Sequence, residues 1–344
     1  MERQKVYCEI GFIKRFMELS PNHESYDVSE NEKSIIWKNY LKFIFNSNIF
    51  LNISSLELKE HFESGNGIVK QLVKNWSNGN ESLLECKKMN FVINNDLDKQ
   101  LENDNVYFNS TLLLDQPISI CNSIRNNYGL QVISPEEIFS NSKIFVEFKK
   151  SVKKDEFYLS MWNVLKDFKY PCNALSIIDN YVLLDDKIIK KNLIQILEYL
   201  LPKSLKIPFH ISIFTLKEPN SKILNFENKK KFIESEIKFI RPNLKFKLSI
   251  FCLQDKTEHD RSLITNYLQI DSGSGFDLHG TNNKTTHKTT LNISFPITAT
   301  YISDNSDNVT ENLRMTMKKI FSNSSDSVLA KNYWGDKENR LFEY

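Results

Sequence analysis

Residues 174–216 read ALSIIDNYVLLDDKIIKKNLIQILEYLLPKSLKIPFHISIFTL, and their periodicity decides the fold class. From Ala174 to Leu184 the apolar residues alternate as in a strand. Ile189, Leu193, Ile196, Leu197 and Leu200 then share one helical face, and Pro208 to Leu216 returns to a strand. Outward from this core, Glu227 to Ile240 predicts a basic amphipathic helix and Lys245 to Leu253 a strand with polar alternation. Leu263 to Ile270 and Thr290 to Phe295 supply two more strands, and 308–321 a last amphipathic helix. The tail from Trp334 to Tyr344 is expected to drape over the surface. Strands alternating with helices predict an α/β protein with a largely parallel sheet.

The N-terminal half repeats the alternation. Val6 to Ile13 predicts a strand, and 30–46 a helix carrying Ile35, Ile36, Tyr40, Phe43 and Ile44. Ile49 to Ile53 is a strand, and Ser54-Ser55 caps a helix that Gly65-Asn-Gly67 interrupts or ends. Phe91 to Ile93 and Leu112 to Leu114 are short apolar runs. Ile118 to Tyr128 is helical with Gly129 as its C-cap, Leu130 to Ile133 a strand, and Ser134-Pro135-Glu136-Glu137 a helix start. A length of 344 residues suits two domains. The lysine-rich segment Lys149 to Glu156 is the expected linker, giving domains at 1–148 and 157–344. Polar residues Gly280 to Lys288 predict a mobile hairpin or flap.

Composition narrows the function classes. With 45 Lys and Arg against 43 Asp and Glu, the net charge is +2, so no global field draws the chain to phosphate or membrane. Any basic surface must come from local clusters: Lys149, Lys150, Lys153 and Lys154, Lys190 and Lys191, or Lys229 to Lys231. Five cysteines, widely spaced and without a CxxC pair, argue against a disulfide framework or a zinc site. No apolar run has the length of a signal peptide or a membrane span, so a cytoplasmic protein is expected. No Walker or dinucleotide-binding glycine motif is present.

The segment Glu258-His-Asp-Arg-Ser-Leu-Ile-Thr-Asn266 is followed by Gly273-Ser-Gly-Phe-Asp277. His259, Arg261 and Asn266 have the spacing H-x-[K/R]-x4-[D/N], which resembles the phospholipase D superfamily signature. In that family His attacks phosphorus, Lys binds a phosphate oxygen and Asp orients the histidine. Here Arg261 replaces the lysine and can grip phosphate bidentately, while Asn266 replaces the acid and cannot stabilise an imidazolium. The H-D-R run followed by G-x-G-x-D is similar to the phospholipase D-like C-terminal domain of MIT-domain proteins, a membrane- and partner-binding version without catalysis. This resemblance implies a mixed-sheet α/β domain that binds phosphate, nucleic acid or a protein partner through His259, Arg261 and Asn266. Asp179 is a candidate partner for Arg261. The same residues also suit a hydrogen-bonded network pinning a strand end, with Gly273 and Gly275 making a tight turn.

In the first half, Glu9 stands in the first apolar strand, Glu57 and Glu60 begin the helix after Ile53, and Asp115 ends an apolar run. With the strand-Ser-Pro-Glu-Glu element at 130–139 they resemble a PIN-like nuclease domain, a parallel-sheet fold that places acids at strand ends. The resemblance implies catalysis by Glu9, Glu57, Glu60 and Asp115, with Glu9 and Asp115 holding Mg²⁺ or Mn²⁺ against a phosphodiester. Asp96, Asp98 and Asp104 compete as further ligands. The other reading makes Glu57 and Glu60 first-turn helix acids and Asp115 a turn residue.

These readings give a PIN-like domain followed by a phospholipase D-like domain, acting as a metal-dependent endonuclease on RNA or DNA. Such a pairing suits bacterial anti-phage or toxin-like systems by fold-level analogy. Two alternatives stand beside it. One is a non-catalytic binding protein with relic sites. The other is a phospholipase D-type phosphodiesterase that completes its site as a homodimer.

Overall fold

The computed structural model describes residues 5–21, 32–45, 47–63, 70, 74, 84–86, 110–140, 142–145, 147–158, 161–217, 224–253, 261–280, 282–295, 332–336 and 338–342. The chain is α/β and divides into two compact units, with the main boundary between Val146 and Glu147. Among the described residues, no helix is long and apolar enough to cross a membrane.

The first unit is built on a five-stranded, all-parallel sheet in the order β3-β2-β1-β4-β5. Its strands are β1 (Lys5–Cys8), β2 (Asn48–Leu51), β3 (Leu84–Cys86), β4 (Thr111–Leu113) and β5 (Gln131–Ile133). Helices α1 (Ile10–Glu18), α2 (Glu32–Phe45), α3 (Ser55–Glu63) and α4 (Ile118–Tyr128) connect them. The order places β2 and β3 on one side of β1 and β4 and β5 on the other. Strand order therefore reverses between β1 and β4. Val6 to Ile13 is not one strand: β1 stops at Cys8, and Phe12, Ile13 and Phe16 form the buried stripe of α1. The apolar run is shared between two elements, and a helix face was legible in it only at its far end.

The second unit is built on a mixed eight-stranded sheet in the order β13-β9-β8-β7-β10-β11-β12-β6. At its centre β7 (Ala174–Ile178), β8 (Phe209–Leu216) and β9 (Phe246–Leu253) run parallel. They are linked through α5 (Asp186–Lys191), α6 (Leu193–Leu200) and α7 (Phe226–Ile240). An antiparallel meander of β10 (Arg261–Thr265), β11 (Gln269–Ser272) and β12 (Thr289–Ser294) extends one side. β6 (Phe148–Val152) closes that side as an edge strand, and β13 (Tyr333–Trp334) closes the other. Six of the eight β9 residues are buried without alternation, as expected for a strand covered on both faces.

Lys149 to Glu156 is not a linker, because Lys149, Lys150 and Ser151 pair with Asn292, Leu291 and Thr290. Lysines on an edge strand discourage further strand pairing, which accounts for their density. Ala174 to Leu184 ends as a strand at Ile178, because the Asp179 carboxylate accepts from the Tyr181 and Val182 amides and turns the chain. Leu263 to Ile270 is a hairpin: Thr265 Oγ1 accepts from the amides of Tyr267 and Leu268. The Gly280–Lys288 segment is tied down where described, with Thr285 N donating to Glu156 O and Asp155 N to Thr285 O. The tail is structural, since β13 joins the sheet and Leu341 packs into its core with Phe214, Phe251 and Ile264. His259, the 91–93 run and the 308–321 helix lie outside the described residues.

Candidate functional site

Glu9 is the first residue after β1, and Asp115 lies two residues beyond β4. β1 and β4 are parallel neighbours at the reversal of strand order, so both acids stand at the carboxyl end of the sheet at its switch point. Open α/β sheets bind ligands at that place. Glu9 N donates to Leu113 O at 2.9 Å, which holds the two strand ends together. Asp115 N donates to Glu9 Oε2 at 2.7 Å, and Gln116 Nε2 approaches both Glu9 oxygens at 3.3 Å.

Asp115 faces α1. One oxygen accepts from Arg15 Nη1 at 2.8 Å, while the other rests against Gly11, where any larger side chain would collide with it. Arg15 also reaches Glu136 at 3.3 Å. Burial raises the Glu9 carboxyl above its ordinary range and the Asp115 charge adds to this, against the hydrogen bonds from Asp115 and Gln116. The Arg15 guanidinium is held above its ordinary value by its bonds to Asp115 and Glu136.

The other expected acids are placed elsewhere. Glu57 belongs to a capping box: its Oε2 accepts from Ser54 N at 2.7 Å and its own amide donates to Ser54 Oγ at 3.2 Å. Glu60 is exposed on α3. Asp96, Asp98 and Asp104 lie outside the described residues. Among the described residues, no group of three or more His, Cys, Asp or Glu is placed to hold a metal. Of the expected acids among the described residues, Glu9 and Asp115 alone come together, and each already has a partner, the Asp115 amide and Arg15. Mg²⁺ and Mn²⁺ are hard ions that take one or two carboxylates plus substrate phosphate.

The second unit brings a different set together. Registry of β10 with β7 pairs Leu263 with Ile177, and two residues further on this places Arg261 opposite Asp179. On its other side Arg261 pairs with Ser272, where the Gly273–Gly275 turn begins. Gly275 has φ +95°, and a Cβ there would lie 2.5 Å from Asp179 Oδ2, 3.0 Å from Arg261 Cδ and 3.2 Å from Asp277 Oδ1. Only glycine suits both the left-handed backbone and that space. Asp179, Arg261 and Asp277 thus converge on one glycine.

Asp179 is buried, and its carboxylate accepts from the amides of Tyr181 at 2.6 Å, Val182 at 2.9 Å and Phe276 at 2.6 Å. Burial, helped by the Asp277 charge, raises its carboxyl to about 6 in spite of these bonds and of Arg261. Asp277 is raised in the same direction by burial, with His287 and Arg261 opposing. The Arg261 guanidinium stacks over Tyr181, 5.6 Å from the ring centre. Arg261 Nε and Asp277 Oδ1 are each buried without a hydrogen-bond partner among the described residues. A buried donor and a buried acceptor left unused are costly unless a ligand or water completes them.

The chain matches no family model and no curated protein. The PIN-like and phospholipase D-like resemblances therefore rest on these residues. Asn266 does not join Arg261: it stands past the far end of β10, where its Oδ1 accepts from the amides of Asn173 and Ala174, both at 2.9 Å. Arg15, Gln116 and Glu136 were not legible as site residues, because nothing in their local sequence ties them to Glu9 or Asp115. Asp277 was legible through its G-x-G-x-D setting, and Tyr181 only as a neighbour of Asp179.

Proposed function

We propose that this protein is a metal-dependent nuclease: its first unit cleaves RNA or DNA, and its second holds a phosphate group of nucleic acid or of a partner. The observation that carries the reading is the position of Glu9 and Asp115 at the switch point of an all-parallel sheet. These two carboxylates would hold Mg²⁺ or Mn²⁺, which when bound supplies Lewis acidity toward a phosphoryl oxygen and a more acidic water. Arg15, whose side chain is 45% exposed, compensates the Asp115 charge and has the reach and geometry to turn to a phosphodiester instead. Gln116 fixes the Glu9 carboxylate from the side. In the second unit, Arg261 Nε, without a partner among the described residues, supports phosphate binding, and the Asp277 oxygen near the same glycine suits a hydroxyl or a protonated phosphate oxygen. By analogy of parts alone, a nuclease joined to such a binding unit suits an anti-phage or toxin-like role.

The test is cleavage of labelled single- and double-stranded RNA and DNA with Mn²⁺. Asp115→Asn should abolish cleavage while its circular dichroism and melting curve stay those of a folded protein. A wild-type protein that cleaves none of these substrates would overturn the reading. A binding protein without catalysis would then stand, and one observation favours it: Arg15 and the Asp115 amide already satisfy the two acids.

A further inference from the structure

The parallel strands β7, β8 and β9 lie side by side, so the connections that enter them gather at one end of the sheet, opposite the end that carries Asp179. Those connections read KYPCN at 169–173, LPKSLKIP at 201–208 and RPNLK at 241–245. They contain Lys169, Lys203, Lys206, Arg241 and Lys245 and not one carboxylate. Backbone bonds stitch them into one surface: His210 N donates to Asn173 O at 3.0 Å and Phe209 N to Lys245 O at 2.8 Å. Arg241 ties the second and third together, its Nε donating to Leu201 O at 3.1 Å and its Nη2 to Glu198 O.

Lys169, Lys203 and Lys245 are exposed, and among the described residues none is in an ion pair. Lys169 is held below its ordinary range by burial and by the charges of Arg241 and Lys203, so these cations crowd one another. Glu338 is taken by Lys247 at 2.6 Å, and Glu198 acts on Arg241. Lysines of α7 behave differently: Lys229, Lys230 and Lys231 are each paired with an acid. In the last turn of α7, Phe239 is 83% exposed, two residues before Arg241.

We propose that this end of the eight-stranded sheet binds a single-stranded nucleic acid, with phosphates on Lys169, Lys203 and Lys245 and a base stacked on Phe239. Neighbouring strands are about 4.8 Å apart, so the three entering loops spread their cations over roughly 10 Å, enough for two or three successive phosphates with lysine-length reach. Cations along a backbone groove with an aromatic platform are what sequence-tolerant single-strand binding requires. A membrane surface is less well served, because Leu201, Leu205, Leu244 and Cys172 of these loops are buried and Tyr170 and Ile207 are partly buried, which leaves little beside Phe239 to insert.

The experiment is fluorescence anisotropy of the full chain with a labelled 12-nucleotide oligo-uridine in EDTA, so that cleavage plays no part and the nuclease reading is not at stake. The wild type should bind, and log affinity should fall with log salt. The Lys169→Glu/Lys203→Glu/Lys245→Glu variant should bind at least ~100-fold more weakly, with the salt slope lower by about 2, since each lost phosphate contact on a single strand removes about 0.7. Phe239→Ala should weaken binding by roughly tenfold, the scale of one base–aromatic stack. Lys231→Glu, on a paired lysine away from these loops, should leave binding unchanged. No oligonucleotide binding at low salt would overturn the proposal. So would equal losses in Lys231→Glu, or a wild type that binds phosphatidylserine vesicles while ignoring the oligonucleotide.

Discussion

The amide of Asp115 donates to Glu9 Oε2 at 2.7 Å, across 106 residues of sequence, and so fixes one acid of the first unit by means of the other. The bond sits where β1 and β4 end side by side, and it orients the Glu9 carboxylate toward the Asp115 side. Burial, with the Asp115 charge adding to it, raises the Glu9 carboxyl, and a cation beside the pair would oppose that rise. In the structure Arg15 is that cation for Asp115.

Mn²⁺ binding to the first unit should therefore depend on pH in a defined direction. Glu9 must lose its proton to ligate, and its carboxyl is raised by burial and by Asp115. Affinity should keep rising above the pH at which an ordinary glutamate is already ionised. Glu9→Gln should both weaken binding and flatten that rise. Calorimetric titrations of Mn²⁺ between pH 5 and pH 8, wild type against variant, read this directly; parallel pH profiles would count against Glu9 as a ligand.

Glu57 separates structure from chemistry. Its carboxylate closes the capping box of α3, so Ser54→Ala should lower stability by about 1 kcal/mol, the usual worth of a lost N-cap. Neither Ser54→Ala nor Glu57→Gln should change the rate of any Mn²⁺-dependent cleavage at saturating substrate. A large rate loss in Glu57→Gln, with Ser54→Ala unaffected, would return Glu57 to the catalytic set.

What the sequence made legible follows from the range of the interactions. Helix α4 and the caps at Ser54 and Ser134 are local events, and their residues announce them. So does the parallel core of the second unit, where β7 and β8 are mostly apolar and buried along their whole length. The lysines at 149–154 suit a linker and a sheet edge equally well, because exposed lysines look alike in both; only the pairing of β6 with β12, some 140 residues away, distinguishes them. The Leu263–Ile270 run hides a hairpin because its turn is held by Thr265 Oγ1, with no glycine or proline to announce it. Glu9 and Asp115 could be nominated from their places at strand ends. Arg15 and Glu136 could not, since their roles exist only once α1 is packed beside the 3-10 turn at Pro135–Glu137.

Asp179 should leave a pH signature on stability. Its carboxyl is raised to about 6 in the folded protein, above its value in an unfolded chain. The folded state is therefore favoured while the group is protonated in both states, and that advantage is lost as pH rises from about 4 to about 6. The scale is on the order of 3 kcal/mol. Asp179→Asn does not titrate, so the wild type should lose stability relative to this variant across that window and run parallel to it above pH 7. Urea unfolding at a series of pH values measures the difference, and a difference that does not change between pH 4 and pH 7 would show that the Asp179 carboxyl is not raised.

Arg261 offers the sharpest test of the second unit. Its Nε is buried without a hydrogen-bond partner among the described residues, its guanidinium is stacked on Tyr181, and its neighbours Asp179 and Asp277 pack around Gly275. A phosphate that completes the Nε bond gains a charge-assisted hydrogen bond, worth about 1.5–3 kcal/mol. Arg261→Ala should thus weaken binding of inorganic phosphate or of a phosphorylated oligonucleotide end by roughly 10- to 100-fold. Arg261→Lys should rescue little, since an ammonium has neither the planar fork nor the stack. Cleavage by the first unit at saturating substrate should be unchanged in both. The contrary outcome is equally clear: if both variants bind phosphate as the wild type does and instead melt several degrees lower, Arg261 is a structural cation between two raised carboxylates, and the phosphate pocket does not exist.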